Sequence, residues 1–228
     1  MEEFSKIESL ENFNPKGKIL QGGIGYYALC RDCNSFLGSN YVRSYELWVK
    51  SGMEVLSAGN FESAKYIAIN QSPLKIIKQI ISMFIVINDD VFHDAYPELI
   101  NFVNDPNSNS LSDKFKLFLY LNNEGNYRYC KLSTIMIPGI AILNCTELAF
   151  PPFGYVLTID FGGIIPRMLN ITDFKNFTLQ TTGKLGLGLY RLPTYLPFPP
   201  LDYRAKEKIE LDIKTGNELR DRINKQGE

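Results

Sequence analysis

The spacing of the apolar residues changes partway along this chain. Over residues 72–87 they recur at helical intervals, and Ser72-Pro73 supplies an N-cap followed by proline at the first helical position. Beyond an Asn- and Ser-rich loop at 107–112, they alternate with polar residues or form short runs. A helical pattern followed by a strand pattern predicts an α+β fold, with helices in the first half and an antiparallel sheet in the second.

Two further helices and a strand are predicted in the first half. Aromatic and aliphatic residues at helical spacing predict a helix over 39–56, with Ser39 or Asn40 as its N-cap and Gly52 and Gly59 near its end. A shorter helix begins at Pro97. A strand is predicted over 65–69, directly before the helix that follows Ser72.

The second half contains five strand-like stretches, at 115–121, 127–137, 140–150, 155–160 and 185–192. The segment Asn122–Asn126 has the composition of a hairpin turn and predicts that the first two strands pair. Four prolines between 193 and 200 predict an extended passage along a surface. Residues 207–222 then predict either one helix broken near Gly216 or a frayed tail.

These patterns divide the chain into four regions. We predict a polar tether at 1–18, a knuckle and helical region at 19–106, an antiparallel sheet region at 107–203, and a polar C-terminal helix or tail at 204–228. With 228 residues, 45% of them hydrophobic, the chain can bury a substantial core. One compact domain overall is therefore expected.

Charge and hydropathy limit the partners of the protein. Twenty-four basic residues face twenty-five acidic ones, so there is no global positive field and nucleic-acid binding requires a local patch. The longest apolar stretch, 76–87, is interrupted by Lys78 and is shorter than the roughly 18 residues of a membrane span. The N-terminus lacks the apolar region of a signal peptide. We expect a cytoplasmic protein with no membrane contact.

The segment Cys30-Arg31-Asp32-Cys33-Asn34 carries the clearest chemical signal. A Cys-x-x-Cys turn presents two thiolates to one tetrahedral metal, which is half of a structural zinc site. Cys130 and Cys145 fall within predicted strands about a hundred residues away along the chain. The residues leave four interpretations open: a knuckle without metal, a zinc site within one chain, zinc shared across a symmetric dimer, or a redox pair.

The stretch from Leu29 to Asn34, followed by Gly38, resembles the second half of the zinc-bearing HNH endonuclease motif. The resemblance covers roughly residues 19–57 and implies a treble-clef-like knuckle in which Cys30 and Cys33 bind zinc. In that family the first knuckle supplies two more cysteines, and a Glu-His pair activates water beside a divalent metal. No cysteine or histidine precedes Cys30 in this chain. The resemblance therefore implies a repurposed scaffold.

The function expected from this resemblance is that of an HNH-like, catalytically silent protein in a nucleic-acid, mobile-element or phage-defence context. Arg31, Asn34, Asn40 and Arg43 would form its binding edge, and no catalytic residue is assigned. Any activity it did have would be that of a metal-dependent nuclease or hydrolase. The only histidine, His93, follows Asp89 and Asp90 and is more typical of a solvated helix end than of a metal site.

A different class of function also fits the composition. Neutral charge, abundant aromatic residues and a large sheet permit a binding protein that sequesters a nucleotide or a partner protein, such as a phage-encoded antagonist of host defence. Homodimer formation stays open in both interpretations.

Overall fold

The structure, a computed structural model, describes residues 29–59, 61–137 and 141–226. It has the predicted α+β architecture, with helices first and the larger sheet in the second half. The chain divides into two compact units. One spans Tyr26–Asp202, and the described part of the other is residues 203–226.

The α-helices and the π-helical segment of the larger unit precede its five-stranded sheet. They are α1 (Arg31–Leu37), a π-helical segment (Gly38–Val42), α2 (Arg43–Ser57), α3 (Pro73–Ile87), α4 (Asp90–Ala95) and α5 (Pro97–Asn104). The predicted helices after Ser72 and from Pro97 are confirmed, each with proline in its first turn. The first three elements form one uninterrupted helix, called the long helix below.

The long helix begins earlier than predicted. Cys30 is its N-cap: the backbone is extended there, and the sulfur accepts a hydrogen bond from the N–H of Cys33. Ser39 and Asn40 lie inside the helix, where each side chain donates to a backbone carbonyl four residues earlier. The prediction that Ser39 or Asn40 starts the helix is therefore wrong, because these polar side chains bond back along the helix.

The helix was predicted to end near Gly52 and Gly59, but it continues past Gly52. A Cβ atom at this position would lie 2.4 Å from the ring of Phe153, so glycine is required for close packing of α2 on the sheet. The helix ends at Ser57, two residues before Gly59, which has a positive φ of 137°.

The strands form two antiparallel sheets. Their bounds are β1 (Ser63–Gln71), β2 (Phe115–Leu121), β3 (Arg128–Ile137), β4 (Ala141–Phe150), β5 (Phe153–Ile159), β6 (Leu169–Asn170) and β7 (Gly183–Tyr190). Strands β1 and β7 form a two-stranded ribbon, and the other five have the order β3-β4-β5-β2-β6. All five predicted strands of the second half are present, with ends shifted by a few residues.

The predicted hairpin between β2 and β3 is wrong. Strand β2 pairs with β5 and β6 instead. The loop between β2 and β3 forms hydrogen bonds with the proline-rich segment instead. The backbone N–H of Asn126 donates to the carbonyl of Thr194 at 2.7 Å, and the backbone N–H of Thr194 donates to the carbonyl of Glu124 at 2.9 Å. Turn composition thus identified a loop, but the loop's bonding partner is distant in the sequence.

An aromatic cluster joins the long helix to both sheets. The ring of Trp48 in α2 stacks on Phe153 of β5 and meets Tyr66 of β1 edge-on, each at a centroid distance of 4.9 Å. Its indole N–H donates to the hydroxyl of Tyr155 at 3.0 Å. All four side chains are fully buried, so this cluster positions the long helix against the sheets.

A buried ion pair holds the proline-rich segment against the five-stranded sheet. Arg128 of β3 contacts both carboxylate oxygens of Glu147 of β4 at 3.1 Å, and neither side chain is exposed. Glu147 also accepts from the hydroxyl of Tyr120 and from the backbone N–H of Leu201. Arg128 donates in addition to the carbonyl of Leu196. Every charged atom of the pair is thereby satisfied without water.

The described part of the smaller unit contains a single helix, α6 (Lys206–Gln226). The predicted polar C-terminal helix is therefore present, but it continues through Gly216 without the predicted break. Ion pairs line its first turns, including Lys208 with Asp212 at 2.9 Å. No helix among the described residues is both long and apolar enough to cross a membrane.

Candidate functional site

The two thiols of the Cys-x-x-Cys segment meet at the start of the long helix. Cys30 caps the helix and Cys33 lies in its first turn. Their sulfur atoms are 2.9 Å apart, and both residues are exposed. The fold therefore brings the two predicted ligands together at the surface.

The two thiols differ in acidity because one donates a hydrogen bond to the other. The thiol–thiol hydrogen bond with Cys33, and then the hydrogen bond from the Cys33 backbone N–H, lower the pKa of Cys30. The same thiol–thiol bond raises the pKa of Cys33. A thiolate at Cys30 would also face the positive end of the helix dipole. The pair thus presents a more acidic thiol, Cys30, beside a less acidic one, Cys33.

Cys130 and Cys145 lie in a different environment. They are buried in β3 and β4, and burial, followed by the nearby charge of Glu147, raises the pKa of each thiol to about 12. In the metal-free protein, thiols of this kind stay protonated at neutral pH. Within the described ranges, no group of three or more His, Cys, Asp or Glu side chains could hold a metal ion.

The Cys30–Cys33 pair fits half of a tetrahedral zinc site. With Zn–S bonds of about 2.3 Å and a tetrahedral angle, two sulfur ligands are roughly 3.8 Å apart. The two sulfurs are at 2.9 Å and would separate by less than about 1 Å, which side-chain rotation at an exposed helix end allows. Two more ligands are needed to complete such a site.

The predicted binding residues lie along the long helix. Arg31 and Asn34 are exposed in its first turn, beside the thiols. Arg43 is exposed as well, but its guanidinium pairs with Glu46 at 2.7 Å. The amide of Asn40 is partly buried and donates to the carbonyl of Phe36 at 2.9 Å. Of the four predicted binding residues, only Arg31 and Asn34 therefore lie directly beside the cysteine pair.

His93 of α4 is held by a contact with α3 and by one within its own helix. Its Nε2 lies 2.7 Å from the carbonyl oxygen of Ile85, and its Nδ1 is 3.6 Å from the carboxylate of Asp90. Asp89 caps α4 by accepting from the N–H of Phe92. These contacts explain the conformation of the segment without any ligand.

One exposed surface is formed by two strands that are distant in the sequence. The pairing of β1 with β7 brings Lys65, Lys184 and Tyr190 to the same exposed face, although the sequence places them far apart. The signal in the sequence is the alternation of leucine with glycine from Leu185 to Leu189. It indicates a strand with one face bare, but it does not name the partner strand.

A shallow depression of about 550 Å³ lies beside the C-terminal end of α5. Its acidic side chains already have partners: Glu98 pairs with Lys114, and Asp105 accepts from the backbone N–H of Asn107. None of its lining residues belongs to the predicted site.

No family model matches this chain, and neither the curated proteins nor the solved structures contain a match to it.

Proposed function

We propose that this protein is an HNH-like scaffold that associates with nucleic acid without cutting it, and that Cys30 and Cys33 supply half of a structural zinc site. The observation that carries the proposal is the placement of both exposed thiols at the start of one helix, 2.9 Å apart. Bound zinc would fix the fold of the segments that supply its other ligands.

The chemistry of the thiols supports this proposal. Zinc binds cysteine as thiolate, and the pKa of Cys30 is lowered by the hydrogen bonds from Cys33. The two remaining ligands would come from a second copy of this chain or from another polypeptide. A site shared by two copies would place four thiolates at two helix N-termini, where the helix dipoles favour negative charge.

The surroundings of the thiols support contact with nucleic acid. Arg31 offers a guanidinium and Asn34 an amide at the exposed first turn, where backbone N–H groups also point outward. These are groups that bind phosphate oxygens. Because the net charge of the chain is -1, such binding is local and should weaken steeply with salt.

The proposal that the protein does not cleave rests on the place of its only histidine. An HNH-type reaction needs an imidazole that accepts a proton from water. Nε2 of His93 contacts the carbonyl of Ile85 and Nδ1 faces Asp90, so among the described residues these contacts do not involve the cysteine pair.

The first experiment measures zinc content and mass of the purified, reduced protein. We expect bound zinc in the wild type and its loss in Cys30→Ser/Cys33→Ser, while Ser35→Ala, an exposed change on the same helix, retains it. One zinc per two chains, together with a dimer mass, would identify the second copy as the source of the other ligands. A wild type free of zinc after zinc loading and dialysis would refute the zinc site.

The second experiment measures DNA and RNA binding as a function of salt. We expect Arg31→Glu to weaken binding and flatten its salt dependence, because a phosphate contact is replaced by a repulsive charge. Lys50→Glu, further along the same helix, is the matched control. Absence of salt-sensitive binding to either nucleic acid would refute this part of the proposal.

A protein partner is the second candidate, and one surface favours it. Met136 of β3 and Ile142 of β4 are direct cross-strand neighbours, 77% and 67% exposed, on a hairpin whose β3 strand is an edge of the sheet. Exposed apolar pairs beside an unpaired edge are typical of protein contacts. If Met136→Lys abolishes capture of a single stoichiometric partner while zinc content is unchanged, this alternative is preferred.

A further inference from the structure

We propose that the outer face of the β1–β7 ribbon is a binding surface for single-stranded nucleic acid. The ribbon face, as we call it, consists of Lys65 from β1, with Lys184, Gly186, Gly188 and Tyr190 from β7. It shares no residue with the cysteine site, so this inference and the proposed function can fail separately.

The ribbon has one buried and one open face. Along β7, residues 184, 186, 188 and 190 are exposed, whereas 185, 187 and 189 are turned toward the core. Lys65 pairs with Gly188, and Ser63 pairs with Tyr190, which places the β1 side chains on the same open face. From Lys184 to Tyr190 this face extends about 20 Å, given roughly 3.4 Å per residue.

The charges on this face are predominantly positive. Lys65 and Lys184 are both exposed, and the Cε atom of Lys65 lies 4.0 Å from a Cβ built on Gly186, so its side chain crosses onto β7. Arg167 adds a third positive charge beside Tyr190. Glu62 is an acidic residue beside these groups and lies 3.4 Å from Arg167. The positive charges of Lys65 and Lys184 suit a phosphate backbone.

Tyr190 supplies a flat aromatic surface at one end of the face. It is 43% exposed, and the guanidinium of Arg167 lies 5.8 Å from its ring centroid. Arg167 is itself held by Glu62 and by the carbonyl of Arg191 at 3.3 Å. Arg167 is thus a positioning residue for a ring on which an unpaired base can stack.

The β7 strand carries no side chain at Gly186 and Gly188. Among the described atoms, a Cβ added at Gly188 would meet nothing within 4 Å, and one added at Gly186 would lie 4.0 Å from Cε of Lys65. A strand without side chains at these positions lets another backbone approach closely. Lysines and an exposed tyrosine ring along one face are the arrangement expected for binding a strand of nucleotides.

The burial of the opposite face favours a single strand over a duplex. Tyr66, Ala68 and Leu189 on that side are packed in the core, so only one flat side of the ribbon is accessible. A ribbon that reads duplex DNA projects side chains into the major groove. The β7 strand has glycines in place of such side chains at positions 186 and 188, and stacking on Tyr190 requires an unpaired base.

The test uses the full chain and fluorescent 15-nucleotide oligomers of dT and of U, with binding followed by anisotropy at several salt concentrations. For Tyr190→Ala we expect affinity to fall about 5- to 150-fold, the usual range for loss of one stacked base. For Lys65→Glu/Lys184→Glu we expect the slope of log affinity against log salt to fall by about 1.4, corresponding to two phosphate contacts. Gly188→Glu should also weaken binding, since it adds negative charge to the face.

Tyr127→Ala and Lys131→Glu are the matched controls, because both residues are exposed and lie outside the ribbon. Thermal unfolding checks that each variant is folded. The proposal is overturned if the wild type does not bind either oligomer at low salt, if it binds duplex as tightly as single strands, or if the ribbon variants bind like the controls. Loss of binding in Arg31→Glu alone would assign binding to the helix and refute the ribbon face.

Discussion

The two pairs of cysteines in this chain show how far location decides chemistry. Cys30 and Cys33 are exposed at a helix start, where hydrogen bonds lower the pKa of Cys30. Cys130 and Cys145 are buried in neighbouring strands, where burial raises the pKa of each to about 12. The same side chain is therefore a candidate ligand in one region and an inert apolar group in the other.

The difference follows from what surrounds each pair. The exposed thiols contact one another and the N–H groups of the first helical turn, which favour negative charge. Cys130 is opposite Glu147 in the strand register, and Glu147 already carries the negative charge that pairs with Arg128. A second anion there would be repelled and poorly solvated. We therefore expect thiol reactivity to depend on Cys30 and Cys33, and the free energy of unfolding to depend on the surroundings of Cys130 and Cys145.

The largest expected effect is on thiol reactivity. In native protein treated with a chelator and reductant, iodoacetamide at pH 8 should label Cys30, whose pKa is lowered, about a thousandfold faster than Cys130 and Cys145, because a pKa near 12 leaves few thiolates. Peptide mass spectrometry measures each rate. In denaturant all four rates should converge; equal rates in the native state would contradict the contrast between the two pairs.

The next effect concerns the ion pair beside the buried cysteines. Arg128→Met leaves Glu147 as a fully buried charge without its cation and should lower the free energy of unfolding by about 3–5 kcal/mol. Urea denaturation measures this loss. The substitution should also speed labelling of Cys130 in the same strand, while labelling of Cys30 is unchanged.

The double variant Arg128→Met/Glu147→Leu is the control for this interpretation. It removes both charges, so it should be less destabilised than Arg128→Met alone. Equal losses in the two variants would show that packing of the arginine side chain, and not the unpaired carboxylate, accounts for the effect.

A third prediction compares one cysteine from each pair. Cys145→Ser places a hydroxyl in a fully buried position and should cost about 1–3 kcal/mol of unfolding free energy. Cys33→Ser is an exposed change and, in metal-free protein, should remain within about 0.5 kcal/mol of the wild type. Both are measured by urea denaturation in the presence of a chelator. Similar costs at the two positions would remove the distinction in stability.

Sequence patterns predicted local structure better than long-range pairing. The helix from Pro73 and the strand from Phe115 to Leu121 were predictable because their apolar spacing reports burial directly. The partner of β2 was not, since Asn126 in the predicted turn bonds to Thr194, which is distant in sequence. Register between distant strands depends on packing that a single segment does not encode.

The candidate sites show the same limit. The Cys30–Cys33 pair was visible in the sequence because its spacing is local, and the structure places both thiols together. The start of the helix was misjudged because a cysteine, which is not a usual N-cap, takes that role. The ribbon face could not be predicted, since Lys65 and Tyr190 come together only through the pairing of β1 with β7.

The smallest expected effect extends the contrast from thiols to amines. Lys78 of α3 is buried. Its ammonium donates to the carbonyl of Phe102 and, at 2.9 Å, to the carbonyl of Asp105. The same ammonium lies 3.7 Å from the ring centroid of Phe102. Burial lowers its pKa from 10.5 to about 8. Between these two values the unfolded chain binds more protons than the folded one, so raising the pH favours the folded state.

Lys78 should therefore add on the order of 1 kcal/mol of stability per pH unit between about pH 8 and 10.5. The measurement is the difference between wild type and Lys78→Met in unfolding free energy across this range, which removes the background from tyrosine ionisation. Lys50→Met, at an exposed position, should retain the wild-type pH dependence. Parallel pH profiles for the wild type and Lys78→Met would show that the ammonium stays protonated in the folded protein, with the carbonyls of Phe102 and Asp105 compensating for its burial.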